Sequence, residues 1–363
     1  KPPPKLAENT TNLPLTLPPG FSISIYAQGL DNPRDIKLID EFFKGDLLVS
    51  IPSEGKVSFL HDADQNDEAE QKTEVVTGLN QPHGIEYICL NEINGHKVQP
   101  CNLYVAATDG VYLFDFYYSD KPRADNKRKI IDLPTGSGHF TRSLLITPDF
   151  KRLLISVGSS CNVCEERDWR RAKILSANLD GTDLQVYASG LRNAVFLASR
   201  STVNTRLSED QIWATEMGRD LLGDDLPPDE INIIKAGKDY GWPYCYGKQI
   251  IDPFNQSRKN CSQTESSDIN LQAHSAPLGI DFIQPWLAHA WPKDFIYDAF
   301  VAYHGSWNRT QPTGYKIVRF DLDKDGQVLK QEDFITGWLT DKNEMLGRPV
   351  DIAVDSGEMF ISD

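Results

Sequence analysis

A chain of 363 residues, 40% hydrophobic and 25% charged, is long enough to bury a large core in one or two ordinary domains. Its formal net charge of −15 argues against general binding to nucleic acid or to acidic membranes. No apolar run approaches the roughly 20 residues that a membrane-spanning helix needs, so no membrane span is expected.

Residues 1–18 read as a polar, proline-rich arm that opens Lys1-Pro2-Pro3-Pro4-Lys5. It has no signal-peptide pattern, so the mature form begins here or no signal is used. From residue 19 one pattern keeps returning: an apolar strand, a loop reaching Pro, Arg or His, then further short strands. The first unit has strands at 21–26, 36–39, 46–50 and 56–60, with the loop Gly29-Leu30-Asp31-Asn32-Pro33-Arg34. The second has 74–76, 85–88, 103–107 and 111–116, with Gly78-Leu79-Asn80-Gln81-Pro82-His83. The third has 129–133, 144–146, 153–157 and 173–179, with Gly138-His139-Phe140-Thr141-Arg142. The fourth has 185–188, 195–198, 211–216 and 230–234, with Gly190-Leu191-Arg192-Asn193. The fifth has 277–282, 299–304 and 315–322, and the sixth has 333–338, 350–354 and 358–362 around Gly347-Arg348-Pro349.

Few segments carry a 3.6-residue apolar period, so helices are minor. Repeated units of about four short strands predict an all-β fold, a six-bladed β-propeller. It forms a single domain over residues 19–363, with an insertion at about 240–276. The chain stops at Asp363 just after the second strand that follows Arg348, where a closed ring needs another strand.

The six cysteines form three sequence-local pairs, Cys89/Cys101, Cys161/Cys164 and Cys245/Cys261. Such pairing favours disulfides and an oxidising compartment, hence a periplasmic or secreted protein. A single Cys-x-x-Cys does not supply the four ligands of a structural zinc.

In a propeller, the loop leading into each innermost strand reaches one mouth of the central channel. Here those loops hold Arg34, His83, His139 with Arg142, Arg192 with Asn193, and Arg348. Arginine reads carboxylates bidentately, so a ring of them at a channel mouth predicts a small polyanionic ligand. The alternative is that they pair with neighbours such as Asp35 and Asp351 and close the channel. His139 is placed to act as a base on a hydroxyl proton. Asn162, after the paired strand, is expected on the same side. The oxygens of Gly223-Asp224-Asp225-Leu226-Pro227-Pro228-Asp229-Glu230 suit calcium, with Asp224 and Asp225 as ligands. The insertion carrying Tyr240-Gly241-Trp242-Pro243-Tyr244-Cys245 can wall a cleft, and Trp307 in Tyr303-His304-Gly305-Ser306-Trp307-Asn308-Arg309 can stack on a sugar ring. No phosphate loop, nucleophile elbow or His-Glu-x-x-His is present.

These loops resemble the soluble glucose/sorbosone dehydrogenases, quinoproteins that use pyrroloquinoline quinone (PQQ), over roughly residues 18–363. The sorbosone dehydrogenase-like branch is the nearer. The resemblance rests on the His139, Arg192 and Trp307 loops, on Ser159-Ser160-Cys161-Asn162-Val163-Cys164-Glu165-Glu166, and on the Asp224 and Tyr240 stretches. It implies a quinoprotein oxidoreductase that oxidises an aldose or related sugar aldehyde by hydride transfer to PQQ and passes electrons to an external acceptor. His139 would be the general base, with Arg192 polarising the cofactor. His83, Arg142, Arg192, Asn193, His304, Arg309 and Arg348 would hold PQQ, whose three carboxylates match the arginines. Calcium at Asp224 and Asp225 would act as Lewis acid. The sequence departs from the glucose dehydrogenases in offering His304 and Arg309 where they use a lysine. It also has Val195 for a glutamine and Val350 for a second arginine. Two competing readings are a non-catalytic propeller that binds a glycan or protein partner, and a calcium-dependent sugar lactonase.

Overall fold

The computed structural model describes residues 7–39, 45–90, 92–93, 96–119, 121–201 and 210–363, so the first six residues of the expected arm lie outside it. Among these residues, five four-stranded antiparallel sheets follow one another along the chain. Blade 1 is Ile36–Leu38, Leu47–Ile51, Lys56–His61 and Gln71–Val76, and blade 2 is Ile85–Ile88, Cys101–Ala107, Gly110–Tyr117 and Arg123–Asp132. Blade 3 is Leu144–Ile146, Arg152–Val157, Lys173–Asn178 and Gln185–Ser189. Blade 4 is Ala194–Arg200, Gln211–Glu216, Asp229–Ile233 and Ile269–Leu271, and blade 5 is Pro277–Phe282, Ala299–Tyr303, Lys316–Leu322 and Val328–Ile335.

The expected six blades are therefore corrected to five, because the last unit supplies only the two-stranded sheet Ile352–Val354 and Met359–Ile361. The innermost strands still pack in sequence, and Ile352–Val354 touches both blade 5 and Ile36–Leu38 of blade 1. A second correction concerns where units begin. The strands before the Gly78-Leu79 and Gly190-Leu191 loops are outer strands of the preceding blades: Gln71–Val76 pairs back onto Lys56–His61, and Gln185–Ser189 onto Lys173–Asn178, while Ser22–Ile23, before Gly29-Leu30, pairs with Glu8–Asn9. A repeating pattern fixes the period of a repeat, not its phase.

Burial follows strand position. Leu47–Ile51 and Ala299–Tyr303 are buried at every residue, as strands covered on both faces by neighbouring blades should be. The outer strand Arg123–Asp132 is mostly exposed, and its charges discourage edge-to-edge pairing. Side chains stitch the inner ring. Asp35 accepts from the Ile85 amide of the next blade at 3.0 Å, and Asp351 accepts from Ile36 at 2.8 Å. The Thr215 hydroxyl donates to Leu278 O at 2.6 Å. At Gly84 an added Cβ would meet Arg142 O at 2.5 Å, so only glycine lets blades 2 and 3 approach this closely.

The arm is docked rather than loose. Thr16 and Thr336 exchange backbone hydrogen bonds of 2.8 and 3.1 Å, and Leu15 and Leu17 are buried against blade 5 and the two-stranded sheet. Burying each leucine contributes about 1.5–3 kcal/mol. All three cysteine pairs are disulfides. Cys245–Cys261 closes a loop between the last two strands of blade 4, and the insertion expected at about 240–276 runs past that loop to take in the blade's outer strand, Ile269–Leu271.

Candidate active site

His139 lies in the loop before the inner strand of blade 3. Its Nδ1 is 3.1 Å from Ser159 O and 3.0 Å from Ser159 Oγ. A carbonyl only accepts, so Nδ1 carries the hydrogen and Nε2 keeps its lone pair. Burial, then Arg192, lowers the His139 pKa to about 4, so the ring is neutral at physiological pH. Gly158 separates His139 from Asn193: a Cβ there would meet Asn193 Oδ1 and His139 Cβ, both at 2.6 Å. Asn193 Oδ1 is buried and has no hydrogen-bond partner.

Arg192 is 4% exposed, and the protein engages all its donor nitrogens. Nε donates to Asn162 O at 3.0 Å. Nη1 reaches Gly218 O at 3.0 Å and Met217 O at 3.3 Å. Nη2 reaches Asn162 Oδ1 at 3.0 Å and Asp220 Oδ2 at 3.1 Å. Asp220 Oδ1 in turn accepts from Asn308 Nδ2 at 2.8 Å.

Asn162, Asp220 and Asn308 thus form one network, and sequence reasoning missed the role of Asp220. A signal existed. Each of the three stands four or five residues past the end of the second strand of its blade, Arg152–Val157, Gln211–Glu216 or Ala299–Tyr303. Beside this network a cavity of ≈ 20 Å³ is lined by Met217, Asp220, Asp229, His274, Trp307 and Asn308, among others. That is room for about one water.

A second histidine group lies around the ring. His304 Nδ1 is 3.2 Å from both Arg348 O and Pro349 O, and Arg348 Nε donates to His304 O at 3.1 Å. Burial, then Arg348 and Arg34, lowers the His304 pKa to about 4. The Arg34 guanidinium lies 5.0 Å from the centre of the Phe140 ring. Phe140 packs edge-on against His83 at 5.6 Å. Arg34 Nε, His83 Nε2 and Asn308 Oδ1 are buried without partners.

The cations expected to ring the channel mouth are held in separate local hydrogen-bond networks. Arg142 is the clearest departure. It is fully buried and donates to Pro134 O and Thr141 O, each at 2.6 Å, while its Nε is buried without a partner. Arg171, which sequence reasoning passed over, holds the same Pro134 carbonyl from the other side at 3.2 Å. Arg34, expected at the mouth, keeps a buried Nε without a partner.

Asp224 and Asp225 also depart from expectation. Arg309 donates to Asp224 O and lies 3.3 Å from Asp225 Oδ1, while the Asp224 carboxylate accepts from the Thr310 amide at 3.2 Å. A guanidinium stands where a calcium ion was expected, so these two residues do not fit a divalent cation as they stand. For an anionic quinone the donor chemistry does fit. Arg34 Nε is a buried donor without a partner, and His83 Nε2, also buried and unpaired, donates in one tautomer, whereas the orphaned Asn193 Oδ1 is an acceptor. The cavity of ≈ 20 Å³ is by itself too small for such a guest.

A family model described as TrAA12-like matches residues 15–363. Among curated proteins, one of uncharacterised function from Borreliella burgdorferi is 30% identical over 374 residues, covering 98% of this chain and 90% of its own length. The pyrroloquinoline quinone-dependent pyranose dehydrogenase of Coprinopsis cinerea is 25% identical over 332 residues, covering 82% of this chain. The match spans only 44% of that enzyme's length. Among solved structures, the calcium structure of the Trichoderma reesei carbohydrate-active enzyme of family AA12 superposes with a TM-score of 0.74 at 22% identity, covering 98% of this chain and 96% of that one. The holo PQQ domain of the Coprinopsis cinerea pyranose dehydrogenase gives 0.73 at 20% identity, covering 98% and 99%. The PQQ-bound aldose sugar dehydrogenase of Streptomyces coelicolor gives 0.61 at 19% identity, covering 94% and 88%. At these identities the structural likeness establishes the propeller fold.

Proposed function

The chain belongs to the TrAA12-like family, and from that premise we propose that it is a PQQ-dependent oxidoreductase acting on an aldose or a related pyranose sugar. The observation that carries this reading is the His139 arrangement. A neutral imidazole is fixed through Nδ1, its Nε2 lone pair is available, and the orphaned Asn193 amide oxygen lies beside it. Bound PQQ would supply the hydride acceptor.

The chain's own part follows from its residues. Arg34, His83, Asn193, His304 and Arg348 would hold and orient the quinone. His139 Nε2 would take the proton from the sugar's anomeric hydroxyl. Trp307, 71% exposed at the cavity rim, would stack on the pyranose ring. Electrons would leave through an external acceptor.

Support for calcium comes from the Trichoderma reesei relative alone. Arg309 stands against the Asp224–Asp225 position, and no step here depends on the ion. Three disulfides and the lack of a described helix long and apolar enough to cross a membrane support a periplasmic or secreted setting.

One observation favours a second reading, a glycan-binding propeller without turnover. Arg192 is saturated by protein acceptors, while Trp307 stands exposed. Titration of the apo protein with PQQ, followed by dye-linked sugar oxidation, separates the two. Quinone-dependent turnover supports the oxidoreductase, and sugar binding without quinone binding supports the second reading.

A further inference from the structure

The tetrapeptide Cys161-Asn162-Val163-Cys164 is closed on itself by a disulfide, next to the candidate base. One flank is tied to that base and the other to Ser160. The Ser159 hydroxyl, 3.0 Å from His139 Nδ1, donates to Cys161 O at 2.7 Å. The Ser159 amide donates to Arg192 O at 2.8 Å. The Glu166 carboxylate accepts from Ser160 N at 2.6 Å and from Ser160 Oγ at 2.7 Å, fastening the far side.

Inside this small ring, Asn162 spends both ends of its amide on one task. Oδ1 accepts from the Asp220 amide at 2.8 Å and from Arg192 Nη2 at 3.0 Å. Nδ2 donates to Asp220 O at 3.1 Å, and its backbone oxygen accepts from Arg192 Nε at 3.0 Å. One residue, through its side chain and its backbone oxygen, therefore holds the fork of Arg192, and its side chain holds the backbone of the aspartate that pairs with it. Two bonds from a planar guanidinium to one residue set its direction as well as its distance.

We propose that Asn162, held in the ring closed by Cys161–Cys164, is the positioning residue that sets Arg192 against His139. The assignment rests on the proposed oxidoreductase reading for its functional meaning, but its geometry stands without it. Asn162 acts through Arg192 and does not itself touch the reacting atoms. Burial is the larger cause of the low His139 pKa, and the positive charge that Asn162 helps to fix lowers it further. Three cations bear on His139, namely Arg192, Arg171 and Arg142. Arg171 and Arg142 are clamped by carbonyls of the Pro134 stretch, so Arg192 is the one whose place depends on Asn162.

The test is an NMR titration of the His139 imidazole in the full-length apo protein, assigned by loss of its signal in His139→Gln. Asn162→Ala is expected to raise the His139 pKa from about 4 by about one unit, a tenfold gain in proton affinity. Arg192→Gln is expected to raise it as well. In the double variant, Asn162→Ala is expected to add nothing to the shift from Arg192→Gln. An unchanged His139 pKa in Asn162→Ala overturns the proposal. So does an Asn162→Ala shift that persists in full on the Arg192→Gln background, because Asn162 would then be acting by admitting water.

Should Asn162→Ala not fold, the Cys161→Ser/Cys164→Ser pair carries the same readout. Its rise supports the tether, and its silence removes the disulfide from the account. Sugar oxidation with added PQQ is measured separately on the wild type. Its absence would sink the oxidoreductase reading while leaving the titration result intact.

Discussion

His139 Nδ1 lies 3.1 Å from the Ser159 carbonyl oxygen and 3.0 Å from the Ser159 hydroxyl, so one residue fixes both the tautomer and the direction of the imidazole. The hydroxyl's own hydrogen goes to Cys161 O at 2.7 Å, which leaves its lone pair to accept from Nδ1–H.

The pH dependence follows from this bond and from the charge beside it. Burial, then Arg192, holds the His139 pKa at about 4. A general base works deprotonated, and the deprotonated fraction rises with pH. Quinone-dependent kcat/KM should therefore climb through about pH 4 and be level by about pH 5, with no further gain near the ordinary histidine value of about 6.5. A pH series on the reconstituted protein checks this, and an acid limb centred near 6.5 contradicts it.

Gly158→Ala places a methyl group 2.6 Å from both Asn193 Oδ1 and His139 Cβ. These two residues must then separate. We expect PQQ affinity to fall at least about tenfold, the equivalent of about 1.4 kcal/mol, with the fold retained. Calorimetric titration against wild type measures it, and unchanged affinity would show that the pair does not contact the quinone.

Arg142 should behave as scaffold. Its removal takes the 2.6 Å donor from Pro134 O and from Thr141 O, leaving them Arg171 Nη2 at 3.2 Å and Gly158 N at 3.5 Å, at a cost of about 1–3 kcal/mol in all. Arg142→Ala should lower the thermal midpoint by several degrees, and material that stays folded should bind PQQ as wild type does. A variant of wild-type stability with lost quinone binding would return Arg142 to the site.

Much of this was legible in the chain. The recurring Gly-Leu loops gave the propeller, and local cysteine spacing gave all three disulfides. The position of His139 was legible too, because a loop before an inner strand has one place to go. The direction of a long side chain was not. Arg142 and Arg192 occupy comparable loops, yet Arg142 turns to the Pro134 carbonyl while Arg192 turns to Asn162. What decides between them is which carbonyls lie unpaired after folding, and the sequence does not display that. The acidic loop at Asp224 looked like a cation site because its own residues are oxygen-rich. The cation that meets it, Arg309, comes from 84 and 85 positions away.

Trp307 tests the substrate side. Its indole is 71% exposed, while its loop is pinned by Asn308 on Asp220 and by Arg309 on Ala273 O at 3.2 Å. A large apolar ring held in water on a fixed loop is suited to stacking. Trp307→Ala should raise the KM for sugar about five- to tenfold with kcat within about twofold, equivalent to about 1–1.4 kcal/mol of binding. Trp307→Phe should fall between. Steady-state kinetics decides it, and equal KM values for all three proteins would remove Trp307 from the sugar site.

The most direct measurement of the central claim is dye-linked aldose oxidation by PQQ-reconstituted wild type and His139→Ala, with quinone affinity measured on both. The account predicts turnover in the wild type, and a loss of at least about a hundredfold in His139→Ala while quinone still binds. Equal turnover in both proteins, or quinone binding without oxidation of any aldose by the wild type, would contradict it.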